Sequence, residues 1–299
     1  MVGKDECVEV SASIFEGSTR TQLSGKDVIW KKNDAINIFY GYTSSSKFTL
    51  KTGFESTNAT FRCPGLDKTG EVIPHYVSVY PFDKDAKLIV NKENGEVQSY
   101  SVETMFPAVQ KFSKESFGSG SSPMMAIAEA GDLSFRNVGA TLKFRLMGTT
   151  GQEKITKIVA TTVTRRKLAG RATYTMAVDN GTPIVELKDD AADEIVLDCG
   201  TGVTLSNTAA TDFFFSLPPM SGERKFQEKE LIFHVYNDRD EYVTITKEYA
   251  FECKRSMITV IGKDDPYIFN VDDAVNTGMG NTPSVPDAPE FRGEWDHLW

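Results

Sequence analysis

The chain has 299 residues, of which 40% are hydrophobic and 25% charged, with a formal net charge of −9. That length fits two domains of ordinary globular composition. The acidic balance argues against a nucleic-acid partner, because phosphate binding needs concentrated Lys and Arg, and no run of 18 apolar residues offers a membrane-spanning helix.

The first six residues are polar and do not read as a signal peptide. This fits either a cytosolic protein or a mature chain from which an export signal has been removed. Val8 to Phe15 reads as a strand that puts Val8, Val10, Ala12 and Ile14 on one face. Short β-branched or aromatic runs follow at Ile36 to Tyr40, Ala59 to Cys63 and Tyr76 to Tyr80, each bounded by turn residues. Ala108 to Phe117 is the best helical candidate, short and weakly amphipathic. Gly118 to Pro123 has the composition of a flexible linker or a long surface loop. The division between halves is placed at 138/139, within a window of about 130–150.

In the second half, Thr141 to Leu146 and Ile155 to Val159 alternate as strands, and Phe213 to Leu217 is a continuous apolar run suited to burial on both faces. Glu230 to Tyr236 and Tyr242 to Thr246 predict a hairpin around a five-residue loop. After Ile261 the composition turns to loop, and Phe291, Trp295, Leu298 and Trp299 form an apolar end expected to dock on this chain or a neighbour. The expected fold is all-β and of sandwich type. Trp30, Ile36, Ile38, Phe61, Val77 and Val79 are assigned to the first core. Leu142, Phe144, Ile158, Phe214, Ile232 and Val235 are assigned to the second.

Reactive groups are sparse. Cys7, Cys63, Cys199 and Cys253 form no Cys-x-x-Cys pair, which leaves buried free thiols or one disulfide per half. His75, His234 and His297 are far apart, with no neighbouring nucleophile pattern. The acidic clusters at Asp189-Asp190, Asp238 to Glu241 and Asp264-Asp265 lack the ligand spacing of a calcium loop. No catalytic residue, metal site or cofactor is expected, and the chain is read as a non-enzyme.

Several segments in order resemble the fimbrillin-like (Mfa-like) family of Bacteroidetes, the type V pilus proteins. They are Thr19-Arg20-Thr21 with Trp30 and Ile36 to Phe39; Tyr76 to Pro81; Phe106 to Gln110 with Pro123 to Ala126; Leu133 to Phe144; and Phe214 to Pro219. The resemblance implies two tandem transthyretin-like β-sandwich domains, mostly antiparallel, spanning 1–138 and 139–299. It implies an exported protein of the cell surface, outer membrane or fimbrium, a pilus subunit or pilus-associated adhesin. Other pilus subunits would be its partners, with host or bacterial surface ligands as further candidates. It would meet the membrane only through a lipid anchor absent from this sequence. It also marks Arg20 as a proteolytic processing candidate and the strand before it as exchangeable. Cys7 has no apolar stretch before it and does not read as the lipidated residue, and the tail prolines at 283, 286 and 289 make a poor donor strand. The alternative is a surface glycan-binding lipoprotein or carbohydrate-binding module. A β-sandwich hydrolase would need a carboxylate pair or metal site that the sequence does not present.

Overall fold

The structure, a computed structural model, describes residues 7–15, 28–114, 116–179 and 181–276. Alternating patterns write strands along more than half of it. The first are β1 (Val8–Ile14), β2 (Ala35–Tyr42), β3 (Ser46–Thr52), β4 (Asn58–Cys63), β5 (Val72–Tyr80), β6 (Lys87–Glu93) and β7 (Glu96–Phe106). Next come β8 (Val109–Ser113), β9 (Ser116–Phe117), β10 (Met124–Ala128), β11 (Asp132–Asn137), β12 (Ala140–Gly148), β13 (Lys154–Thr162) and β14 (Gly170–Ala177). The last are β15 (Ile184–Leu187), β16 (Glu194–Thr204), β17 (Thr211–Leu217), β18 (Leu231–Asn237), β19 (Glu241–Thr246), β20 (Ile258–Ile261), β21 (Tyr267–Phe269) and β22 (Val275–Asn276). The helical segments among the described residues are two 3-10 turns, Gly222–Arg224 and Val271–Asp273. The chain is all-β and mostly antiparallel.

Seven strands close into a ring in the order β1-β11-β10-β5-β2-β3-β4. Trp30 sits at its centre, 1% exposed, with edge contacts to Phe61 at 5.0 Å, Tyr80 at 5.4 Å and Phe135 at 5.4 Å between ring centroids. Edge-to-face packing sets the negative face of one ring against the positive edge of another. Three further sheets follow, ordered β17-β12-β20 (with β21 also on β12), β22-β19-β18-β13-β16-β8-β9, and β15-β14-β7-β6. Their apolar faces enclose a second, larger core, in which Phe144 stacks on Phe233 with centroids 4.3 Å apart. Strands β6 to β9 precede residue 138, yet β7 pairs with β14 and β8 with β16, beyond it.

Several expectations meet corrections. Ala108 to Phe117 forms the strands β8 and β9 instead of a helix, because alternation buries Gln110 between exposed Val109 and Lys111. Val77 and Val79 are fully buried, but they face the larger core with Phe39, on the outer side of the ring wall. Ile232 is half-buried; its neighbours Leu231 and Phe233 point inward in its place. Phe214 is buried against Phe117 on the opposite face of β17 from Phe213 and Phe215, so the run Phe213 to Leu217 is indeed covered on both sides. The hairpin of β18 and β19 turns through residues 238–240, shorter than expected.

Two buried polar side chains do work that apolar packing cannot. Gln110 accepts from the backbone N–H of Ser216 at 2.8 Å through Oε1 and donates to the carbonyl of Ser216 at 2.6 Å through Nε2. Its amide thus acts as one rung of a strand on the β17 edge, while its own backbone pairs with β16 at Leu197. Gly139 lets the start of β12 lie close to the other side of β17, since a Cβ there would lie 2.8 Å from the Ser216 hydroxyl oxygen. Glu153 accepts from the backbone N–H groups of Thr149, Thr150, Gly151 and Gln152, at 2.7 to 3.1 Å, and from the Thr149 hydroxyl at 2.6 Å.

Replacing Gln110 with Leu leaves a buried N–H and C=O of Ser216 unpaired. Each orphaned group costs about 1–3 kcal/mol, so Gln110→Leu should lose roughly 2–5 kcal/mol in urea unfolding. A loss under about 1 kcal/mol would mean the bridge is dispensable. For Glu153, burial raises the carboxyl pKa, but its donors outweigh burial and hold it at about 2. The folded pKa lies below the unfolded one, so this stabilisation is present above about pH 4.3 and is lost as pH falls towards 2. Thermal unfolding of Glu153→Gln should therefore decline less between pH 5 and pH 2.5 than that of the parent protein. Parallel declines would contradict this.

Candidate functional site

β1 occupies a slot between two strands that are not each other's partners. On one side it runs antiparallel to β4, from Val8 opposite Cys63 to Ser13 opposite Asn58. On the other it runs parallel to β11, from Ser11 opposite Asp132 to Ile14 opposite Phe135. Bonds beyond the strand continue both ladders, with Ile14 N–H on the Thr57 carbonyl at 2.9 Å and Phe15 N–H on the Phe135 carbonyl at 2.7 Å. Val10, Ala12 and Ile14 are buried in the ring core, and Val8 packs partly against it. Burying Val10 and Ile14 stabilises the seated strand by roughly 3–6 kcal/mol. Ser11 and Ser13 face outward into an open depression of about 490 Å³, lined also by Thr52, Asn58, Thr60 and Asp132.

The walls of the slot have their own support. Phe61 is the register partner of Val10, and Phe135 that of Ile14. Both rings rest on Trp30. One indole therefore touches both walls of the slot from inside. Arg20 lies outside the described residues, as do Phe291, Trp295, Leu298, Trp299 and His297.

A buried latch fixes the end of the ring beside Trp30. Asp34, 2% exposed, accepts from the Lys31 backbone N–H at 2.7 Å through Oδ2, and from the hydroxyls of Tyr80, at 2.9 Å, and Ser119 through Oδ1. The Tyr80 hydroxyl in turn accepts from the Gly120 N–H at 2.6 Å. Burial raises the pKa of Asp34 against the pull of these donors, and burial, then the Asp34 charge, pushes the Tyr80 hydroxyl far upward. The segment read as a flexible linker or a long surface loop, Gly118 to Pro123, is thus docked, with Ser121 and Ser122 buried. Its Ser and Gly residues read as flexible because their partners, Asp34 and Tyr80, are remote in sequence.

The reactive groups stay apart. Cys7, Cys63, Cys199 and Cys253 are free, and Cys7 alone is exposed. Burial pushes the thiols of Cys199 and Cys253 up to about 12, which keeps them protonated and unreactive. His75 shares a hydrogen bond with the Tyr100 hydroxyl and His234 with the Thr244 hydroxyl. Among the described residues no three His, Cys, Asp or Glu side chains gather as a metal site would require.

No family model and no curated protein matches the chain. Among solved structures, it is similar to a candidate cell adhesion protein from Bacteroides ovatus ATCC 8483, at 11% identity and TM-score 0.46, over 91% of this chain and 95% of that one. A candidate cell adhesion protein from Bacteroides uniformis ATCC 8492 follows, at 12% identity and TM-score 0.40, over 90% and 94%. The tip fimbrial protein Mfa3 from Porphyromonas gingivalis, with C-terminal truncation, is similar at 8% identity and TM-score 0.27, over 80% of each chain. Likeness of this degree decides nothing about the site.

A carboxylate at position 12 cannot be buried unpaired in the ring. Ala12→Asp should unseat β1 while the Trp30 cluster keeps β4 and β11 in place. Hydrogen exchange is expected to speed up across 8–14, 58–63 and 132–135 while protection in β12 and β17 stays unchanged. Global loss of protection would show that the slot does not outlast its strand.

Proposed function

We propose that this chain is a cell-surface pilus subunit or pilus-associated adhesin that assembles by strand complementation, with β1 as the exchangeable element. The observation that supports this is the slot itself. A single seven-residue strand closes the ring, and its departure would expose two ladder edges and the apolar positions facing Val10, Ala12 and Ile14. An open, apolar edge pairs readily with another chain. A strand of a neighbouring subunit with small apolar residues at alternate positions would fit that slot, because alternate side chains alone enter the core.

Arg20 follows β1 in sequence, so a cut there would free the strand covalently and leave it held by ladder bonds and apolar contacts. On this reading the protein performs no chemistry, and its partners are other pilus subunits.

Limited trypsin treatment of the intact protein followed by sizing tests both parts. The expected outcome is cleavage at Arg20, loss of the fragment carrying β1, and oligomers at high protein concentration. Loss of the fragment with no oligomer would sink assembly by this route. Resistance at Arg20 while other Lys and Arg are nicked would remove its processing role.

A further inference from the structure

The indole of Trp30 carries a donor that the protein itself does not satisfy. Trp30 is buried, and its Nε1 is closed to solvent with no hydrogen-bond partner among the described residues. An indole N–H can only donate. Buried donors of this kind are nearly always paired, either with protein or with an ordered water.

A small cavity lies against the same residue. It has about 10 Å³ of free space, and Trp30, Lys31, Asp34, Tyr80, Phe117 and Ser122 are among the residues that line it. Two contacts bring the Asp34 carboxylate close to Trp30. Its Oδ2 lies 2.7 Å from the backbone nitrogen of Lys31, the next residue in the chain. Its Oδ1 lies 2.9 Å from the hydroxyl of Tyr80, whose ring meets the indole edge-on with centroids 5.4 Å apart. Oδ1 takes a second bond from the Ser119 hydroxyl, whereas the bond on Oδ2 is that of Lys31 alone. A carboxylate offers about four acceptor positions, so one on Oδ2 is still open.

These groups select the occupant. A cation would leave the indole N–H unpaired, and an anion would meet the Asp34 charge. A water accepts from the one and donates to the other. A single water needs about 10–15 Å³, and a cavity of about 10 Å³ excludes anything larger.

We propose that this cavity holds one ordered water, which accepts from the Nε1–H of Trp30 and donates to Oδ2 of Asp34. Through it, the indole that touches both walls of the slot is joined to the latch that docks residues 118–123, and the two form one hydrogen-bonded unit. None of these groups lies on β1, so the site stands or falls separately from strand exchange.

The test is a crystal structure of the intact protein at a resolution that shows ordered water. It is paired with the NOE to water of the Trp30 indole N–H in solution, the signal being assigned by its loss in Trp30→Phe. The expected result is one water within about 2.7–3.2 Å of Nε1 and at the same reach from Asp34, and an NOE of the sign that a long-lived buried water gives. An acceptor of the chain on Nε1, one from residues 16–27 included, would overturn the proposal, as would a dry cavity or the lack of that NOE. A water that touches Nε1 but not Asp34 would overturn the link to the latch.

Discussion

The ladder bonds that β1 makes along both of its edges determine whether the N-terminal sheet has a free edge at all. A strand paired on one side only would leave the usual hazard of unpaired N–H and C=O groups. β1 pairs with β4 in one direction and with β11 in the other, so the ring has no free edge while it is seated. The parallel pairing is informative. A hairpin cannot produce it, because parallel neighbours need a long connection. The chain between β1 and β11 builds the rest of the ring and also the strands β6 to β9 of the other sheets, so the β1–β11 ladder joins segments remote in sequence.

A small set of buried polar groups ties together segments that no ladder joins. Gln110 ties β8 to β17 across two sheets. Asp34 and Tyr80 tie the 118–123 segment to the ring. Each stands where backbone groups would otherwise be buried without partners, and such groups tolerate few geometries. Apolar packing sets how much area is buried; these bonds set which segment lies against which. The segment running from β6 to Pro123 leaves the ring, adds strands to the sheets of the second half, and returns to the ring at β10. The ladders of β7 on β14 and of β8 on β16 hold that path, and Gln110 and Asp34 add side-chain bonds towards its end.

The strands were legible because alternation at period two needs no knowledge of partners. Ile36 to Tyr40, Thr141 to Leu146 and Phe213 to Leu217 all lie within observed strands, as do Val8 to Ile14 with Val10, Ala12 and Ile14 turned inward. What failed depended on partners. Val77 and Val79 alternate properly, but the ring wall is apolar on both sides, and the sequence cannot say which core each face meets. The segment from Ala108 mixes apolar and polar residues weakly enough to pass for a helix; only the remote carbonyl of Ser216 explains why Gln110 is inward. Gly118 to Ser122 looks flexible for the same reason, since its acceptors lie far back in the chain. Of the candidate site, the strand was visible. The indole against the walls of its slot was not, because Trp30 acts through contacts with Phe61, Tyr80 and Phe135 on strands remote in sequence.

The composition of β1 suits a strand that can be replaced. Its inward residues are Val10, Ala12 and Ile14, with no aromatic among them, so its seating draws on roughly 3–6 kcal/mol of apolar burial plus ladder bonds worth about 1 kcal/mol each. That is comparable to the whole net stability of a typical domain, about 5–15 kcal/mol. Spontaneous loss of β1 from an intact chain is therefore rare, and a ring without it would be only marginally stable. The large aromatic contacts lie instead in the part that stays behind, on Trp30, Phe61, Tyr80 and Phe135. On the proposed reading this division favours exchange over simple release: the framework would keep the aromatic packing that shapes the slot, and an incoming strand of matching alternation would recover most of what departure removed.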